Sequence, residues 1–309
     1  MATSGVSTFN VTGTQIITEA AELAGILAPG QTLAAANTTS ILRTLEMMIK
    51  AWQGEGIGVW KNTETALFQS YGGYEYSIGP SGDNSTGTWV KTEIATAASS
   101  TDLTITVDSD TDMTTGDYIG IELDDGTVQW TTINGVPAAD VVTITAALTD
   151  DAAVDNHVYT YTTKTPRPIE IVESRLVRPD GTDTPINIIS RQAYMNLPSK
   201  TSTGTPNQIY YDPKLTNGKL YVWPACGDVQ YYLKFTARVP IEDMDAVGNN
   251  ADFGQEWLLP IAWNLAVLIA PKFGEALDNN FIMNAVMLKA NASASDRDMG
   301  SVFFGVRTR

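Results

Sequence analysis

This sequence of 309 residues contains little cysteine, histidine or positive charge, and each shortage excludes a class of protein. The single cysteine, Cys226, has no internal disulfide partner, so the chain fits a reducing compartment. The single histidine, His157, excludes sites that need two histidines, such as the HExxH zinc motif. With 19 basic against 35 acidic residues, a formal net charge of −16 excludes DNA binding through a generally basic surface.

Long apolar runs are also missing. None reaches the roughly 18 residues that a membrane span needs, and the first ten residues lack the charged and apolar regions of a signal peptide. We therefore expect no membrane partner. The 43% apolar and 9% aromatic content nevertheless favours packed domains over a disordered chain.

The acidic residues are concentrated in residues 85–163. This segment holds thirteen acidic residues against one basic residue, Lys91, and therefore carries −12 of the total −16. Alternating apolar and polar residues predict about six short strands there, separated by turn sequences such as Asn134-Gly135. We predict an inserted acidic β domain at 85–163, built as a small sandwich or barrel.

Strand patterns continue on both sides of this insert and predict a second β domain from residues 61–84 and 164–249. The insert interrupts it after a Gly- and Ser-rich stretch, which is the kind of loop tip that tolerates insertions. Within the second part, Ser190 is expected to cap a short helix, and Asn217-Gly218 predicts a hairpin between strands at 208–211 and 219–223.

Both ends of the chain carry helical patterns and predict a helical domain from residues 1–60 and 250–295. Thr12 and Gln15 form a capping-box sequence, and the first helix is expected to end at Pro29-Gly30. Apolar residues spaced three and four apart give each helix one face to bury. The predicted core of the bundle comprises Ile16, Leu23, Leu42, Leu45, Trp52, Leu265 and Ile269.

The predicted fold class is therefore α+β. A helical bundle domain formed from both termini encloses an inserted mainly-β domain, and the acidic sandwich or barrel is nested inside that β domain. A tail at residues 296–309 follows the last helix.

Motifs for catalysis or cofactor binding are incomplete. A catalytic Cys–His pair would need Cys226 and His157 in contact across the predicted domain boundary, so we interpret Cys226 as a small buried residue. The Gly54–Gly58 segment lacks the third glycine of a nucleotide-binding loop and follows a helix. Asp108, Asp110 and Asp112 lack the glycine and glutamate of a calcium loop, so a weak calcium site with Asp117 stays open beside a solvated turn. We predict no enzyme, no cofactor and no metal.

Several segments resemble the head-to-tail adaptors of short-tailed bacteriophages, also described as head-completion or packaged-DNA-stabilisation proteins. Residues 16–27 (IITEAAELAGIL) and 42–57 (LRTLEMMIKAWQGEGI) resemble the first two helices of that family, and residues 263–274 (WNLAVLIAPKFG) its third. Residues 74–79, 204–206, 210–213 and 220–224 are similar to the β region of its longer members. The acidic insert matches no part of the family.

The resemblance implies a structural virion protein. Such adaptors form a ring, usually of twelve copies, that docks below the portal protein, helps to retain packaged DNA and provides the platform for a tail nozzle or fibre protein. Genomic DNA passes through without sequence recognition. The expected location is the virion neck, after assembly in the host cytoplasm, with the insert on the outer surface of the ring.

The tail combines a polar stretch with an apolar cluster and two arginines. The resemblance implies portal contact through Phe303, Phe304, Arg307 and Arg309, with the arginines pairing with acidic portal groups. The alternative is that the apolar cluster docks on the helices of the same protein, because a terminal segment usually stays polar unless it docks.

Two other function classes remain open. The acidic, strand-rich insert also suits a carbohydrate- or surface-binding tail component. A cell-wall hydrolase would require a pair of carboxylates, and nothing in the sequence selects a pair from the 35 acidic residues.

Overall fold

The computed structural model describes residue 5 and residues 9–56 and 61–295. Over these residues the chain is α+β, which confirms the predicted class. The chain forms two compact units, one from residues 1–61 and 241–309 and the other from residues 62–240. The described helices are α1 (Gly13–Leu23), α2 (Ala35–Gly54), α3 (Arg191–Met195), α4 (Gln255–Phe273) and α5 (Asn279–Ser295).

The capping box of α1 forms as predicted. The Thr12 hydroxyl accepts the Gln15 N–H at 3.3 Å, and the Gln15 side chain accepts the Thr12 N–H at 2.9 Å. The helix, however, ends at Leu23, before Pro29-Gly30. Gly25 adopts a left-handed φ of 76°, and Ile26 N–H donates to Ala21 C=O, which is the Schellman pattern of a helix end.

The helices α1, α2, α4 and α5 contribute to a shared apolar core. Among the residues predicted for it, Ile16, Leu45, Trp52, Leu265 and Ile269 are buried. Two others, Leu23 and Leu42, are partly buried and pack against the same core. Trp52 and the fully buried Trp257 lie 5.8 Å apart between ring centroids, so aromatic contact joins α2 to α4.

Residues 241–249 belong to the helical unit, whereas the sequence suggested the β domain. Gly13 N–H donates to Asn249 C=O at 2.9 Å and Thr14 N–H donates to Val247 C=O at 2.7 Å. These two donors lie in the first turn of α1, where no intrahelical acceptor exists. The segment therefore satisfies the start of a helix more than 230 residues away in sequence.

The second unit is built mainly of strands. In chain order they are β1 (Asn62–Phe68), β2 (Glu75–Ile78), β3 (Ser85–Thr86), β4 (Val90–Thr96), β5 (Thr104–Val107), β6 (Tyr118–Glu122), β7 (Val128–Thr132), β8 (Val141–Thr143), β9 (His157–Tyr161), β10 (Glu170–Val177), β11 (Asp183–Pro185), β12 (Asn187–Ile188), β13 (Thr203–Gly204), β14 (Gln208–Asp212), β15 (Gly218–Trp223), β16 (Ala225–Cys226) and β17 (Tyr232–Arg238).

Two sheets share one apolar core, and all their strands except β3, the first two residues of the acidic insert, lie outside that insert. A five-stranded sheet has the order β11-β10-β17-β1-β3, and a four-stranded sheet has the order β12-β14-β15-β2. Leu67, Phe235 and Leu220 are among the side chains that meet between them. The predicted hairpin is confirmed, since β14 and β15 pair antiparallel from Gln208↔Trp223 to Asp212↔Lys219. The predicted Ser190 cap is confirmed by a hydrogen bond from Ala193 N–H.

The acidic insert forms one curled six-stranded sheet with the order β7-β6-β9-β4-β5-β8. The sheet curls into a half-barrel with a core of its own. At one end, a bridge between Ile133 and Ile144 joins the chain just after the two edge strands, β7 and β8. Gln129 on edge strand β7 also exchanges hydrogen bonds with Ala147 and Thr149. Covering an edge strand in this way protects it from pairing with another chain.

An aromatic cluster joins the half-barrel to the rest of its unit. Phe68, at the end of β1, lies 4.7 Å from Tyr159 and 5.2 Å from Trp130 between ring centroids. Tyr232 of β17 lies 5.9 Å from Phe68 and 6.4 Å from Tyr159 between ring centroids. The insert is therefore held by packed rings as well as by its two chain connections.

Candidate assembly surface

The polar candidates from the sequence serve local structure. The Cys226 thiol is buried and donates to the Asp228 C=O at 3.2 Å, and burial raises its pKa to about 11, so it stays protonated near neutral pH. His157 lies 3.4 Å from the Glu93 carboxylate and 3.5 Å from the Lys91 ammonium. None of these contacts brings Cys226 and His157 together as a nucleophile and base.

Two of the four aspartates considered for calcium, Asp110 and Asp117, accept hydrogen bonds from the main chain. Asp110 and Asp140 each accept the other's backbone N–H, while Asp117 accepts the backbone N–H and hydroxyl of Thr114. Within residues 9–56 and 61–295, no group of three or more His, Cys, Asp or Glu side chains is arranged to hold a metal ion. In the same ranges, no helix combines the length and apolar character needed to cross a membrane.

The helical unit instead exposes a set of large apolar side chains, which we call the apolar surface. It is formed by the exposed Phe9, Leu259, Met283 and Met287 and by the partly buried Trp263 beside them. Leu259 is 52% exposed and Met287 is 54% exposed. Met283 and Met287 are four residues apart on α5 and are therefore neighbours on one helix face.

Two clefts make this surface continuous. One cleft, of about 330 Å³, lies between the start of α1 and α4 and includes Phe9 and Leu259. The other, of about 280 Å³, lies between α4 and α5; we call it the α4–α5 groove, and it is lined by Leu259, Trp263, Asn284, Met287, Leu288 and Asn291. Leu259 lines both clefts, so the exposed side chains form one connected patch.

The helices beneath the apolar surface are fixed to each other. Trp263 of α4 stacks on Phe281 of α5, with 4.3 Å between ring centroids. The Asn264 amide donates to Pro260 C=O at 2.8 Å and to Ala285 C=O at 2.9 Å, so one side chain links both helices. A rigid base lets exposed side chains present one fixed shape to a partner.

Exposed apolar side chains also occur on the opposite side of α4. Leu268 is 47% exposed and follows Leu259 by nine residues, which at about 100° per residue places it half a turn around the helix. Met47 of α2 is also exposed. The helical unit thus offers apolar contacts in two different directions.

The sequence did not predict this surface. The four predicted portal-contact residues, Phe303, Phe304, Arg307 and Arg309, lie outside the described residues. The sequence of α5 nevertheless held a signal of exposed apolar residues. Two apolar pairs, Ile282-Met283 and Val286-Met287, are spaced four residues apart, in addition to the buried Ala285. Such a helix has more apolar positions than one packed face can bury.

Comparison with known proteins adds no family assignment. No protein-family model matches the chain, and no curated protein matches it significantly. The resemblance to phage adaptors accordingly stays a prediction from the sequence.

Proposed function

We propose that this chain is a head-to-tail adaptor of a short-tailed phage. In this role it forms a ring below the portal protein, helps to retain packaged DNA and provides the attachment platform for the tail. The ring has about twelve copies by the resemblance described above. The alternative, a carbohydrate- or surface-binding tail component, would use the insert as its binding domain.

The apolar surface is the observation that carries this proposal. Monomeric proteins rarely leave connected apolar patches exposed, and such patches mark contact sites. A ring is closed by heterologous contacts, in which one side of each copy meets a different side of the next. Leu259 and Leu268 give the helical unit exposed apolar residues on two opposite sides of α4.

The proposed architecture also supports this role. We interpret the helical unit as the ring-forming bundle, the two sheets that share a core as the β domain, and the half-barrel as a nested insertion. Because the insert holds −12 of the net charge, the remaining chain carries only −4. A wall of nearly neutral charge lets DNA pass without being held by its phosphates.

Assembly on portal-bearing particles tests the proposal. Purified protein is mixed with DNA-filled heads that carry the portal but lack this protein, and the neck is imaged by negative-stain microscopy. The native chain is expected to add a ring. Failure of the native chain to bind, together with retention of a polysaccharide by the same protein, would favour the alternative function.

A pair of variants tests the surface itself. L259D/M287D places two charges on the apolar surface and is expected to abolish ring formation while the monomer stays folded. The matched control is L215D, because Leu215 is 95% exposed in the β14–β15 hairpin loop. Rings formed equally well by both variants would show that the apolar surface is not the contact.

A further inference from the structure

The α4–α5 groove has the character of a site for an aromatic side chain. Its volume is about 280 Å³, and Leu259, Trp263, Met287 and Leu288 supply apolar walls. An apolar cavity of roughly 150 Å³ is already large enough to hold benzene. The groove therefore has room for at least one phenylalanine ring.

The chain itself supplies a segment of the right composition. Fourteen residues follow the last residue of α5, Ser295, and they include Val302-Phe303-Phe304-Gly305-Val306. Phe303 lies eight residues after Ser295, a span of up to ~26 Å when extended. Met287 lies eight residues before Ser295, which is only ~12 Å back along the helix.

We infer that residues 302–306 occupy the α4–α5 groove of the same chain before the protein assembles. The connecting residues 296–301 are polar apart from Met299 and contain Gly300, so a reversal of chain direction costs little there. The tail then runs antiparallel to α5, with Phe303 or Phe304 between Trp263 and Met287.

Charge complementarity supports this direction. With Phe303 beside Met287, the four extended residues that follow Phe303 cover ~13 Å towards the start of α5. This length equals the rise of about nine helix residues. Arg307 then reaches the level of Asp278, the exposed carboxylate just before α5. An arginine there pairs with the only acidic side chain between 276 and 295.

The consequence for assembly rests on the proposed function. The docked tail covers part of the apolar surface and withholds Phe303 and Phe304 until a portal competes for them. Premature association of free copies is thereby reduced, because the same groove is needed for ring contacts.

Thiol labelling of the free protein tests the docking without any portal. The natural Cys226 is buried with a raised pKa and gives little background at neutral pH. We compare M287C, inside the groove, with V286C, which is similarly exposed but does not line it. Each is made with the native tail and with F303S/F304S in the full chain.

Docking predicts that the native tail slows labelling of the M287C thiol about tenfold relative to the F303S/F304S chain, a factor equal to about 1.4 kcal/mol. The V286C thiol is expected to label at one rate in both chains. L259C provides a second groove position if M287C does not fold. Equal rates with and without the phenylalanines would overturn the inference, as would protection that grows with protein concentration, since the occupant would then be a second copy.

Discussion

The half-barrel insert and the helical unit both enclose an apolar core, but they differ in what they leave on their surfaces. The insert brings its edge strands together, covers β7 with hydrogen bonds from Gln129 and carries thirteen acidic residues in its sequence. The helical unit leaves Leu259, Met283 and Met287 exposed on adjoining helices. Charge and covered edges keep a region apart from other chains, whereas a fixed apolar patch favours contact.

The two regions also differ in aromatic composition. All twelve tyrosines lie between residues 62 and 240, and the helical unit has none. Several of these tyrosines connect the insert to its neighbouring sheets around Phe68. Stability that depends on buried tyrosines is therefore confined to one unit, which makes the two units separable by experiment.

Removal of Phe68 should have the largest effect. Its ring contacts Trp130 and Tyr159 of the insert and Tyr232 of β17. F68A is expected to lower the free energy of unfolding of the 62–240 unit by about 3–5 kcal/mol, because a large buried ring leaves a cavity. Urea unfolding followed by tryptophan fluorescence measures the loss.

The control is Y71A, since Tyr71 is 62% exposed three residues away. It should change stability by less than about 0.5 kcal/mol. If F68A behaved like Y71A, the insert would fold independently of the sheets beside it.

Alkaline pH should produce the next largest effect and should separate the two units. Burial raises the pKa of Tyr76 and Tyr211 to about 12, and it raises the pKa of Tyr159 and Tyr161 still further above the ordinary value. An unfolded tyrosine loses its proton near pH 10. Between about pH 10 and 12 the unfolded state therefore binds fewer protons than the folded state, and stability falls as pH rises.

The expected loss near pH 11 is about 1 kcal/mol for each of the three buried tyrosines and less for Tyr211, which is partly exposed. Unfolding of the 62–240 unit, followed by the near-ultraviolet absorbance of its tyrosines, should shift to lower urea between about pH 8 and pH 11. The helical unit, followed by helical circular dichroism, should shift much less. Equal shifts would contradict the assignment of alkaline sensitivity to the buried tyrosines.

A smaller loss is expected when one buried carboxylate is changed. Glu122 accepts His157 N–H at 3.1 Å and the Gln230 amide at 2.7 Å, and so links the insert to the segment before β17. E122Q replaces one acceptor oxygen by a donor and should cost about 1–3 kcal/mol of unfolding free energy. D108N, at an exposed carboxylate of the same insert, should cost less than about 0.5 kcal/mol. Equal stabilities would show that charge, not hydrogen bonding, governs the insert.

Features governed by nearby residues were predictable. The Thr12–Gln15 capping box, the Ser190 cap and the hairpin before Lys219 each depend on groups within a few residues of one another. The end of α1 was misplaced because Leu27 continues the apolar spacing after the helix has stopped. Leu27 is still buried, since the turn at Gly25 returns it to the core.

The candidate surface was predictable only in part. Apolar pairs in α5 indicated too many apolar positions for one packed face, but their exposure depends on how α4 crosses α5. Trp263 stacking on Phe281 fixes that crossing, and nothing local to either residue specifies it. The predicted portal contacts of the tail lie outside the described residues and stay a prediction.

By itself, the sequence determined the α+β class, the starts of α1 and α3 and the acidic strand-rich insert, because hydrogen bonding and side-chain periodicity within short segments specify them. Only the tertiary structure decided that residues 241–249 support the start of α1, that Phe68 joins the insert to β17, and that α4 and α5 leave an apolar groove open. Each of these contacts joins groups separated by more than twenty residues, and which of many such contacts form is decided by packing the whole chain.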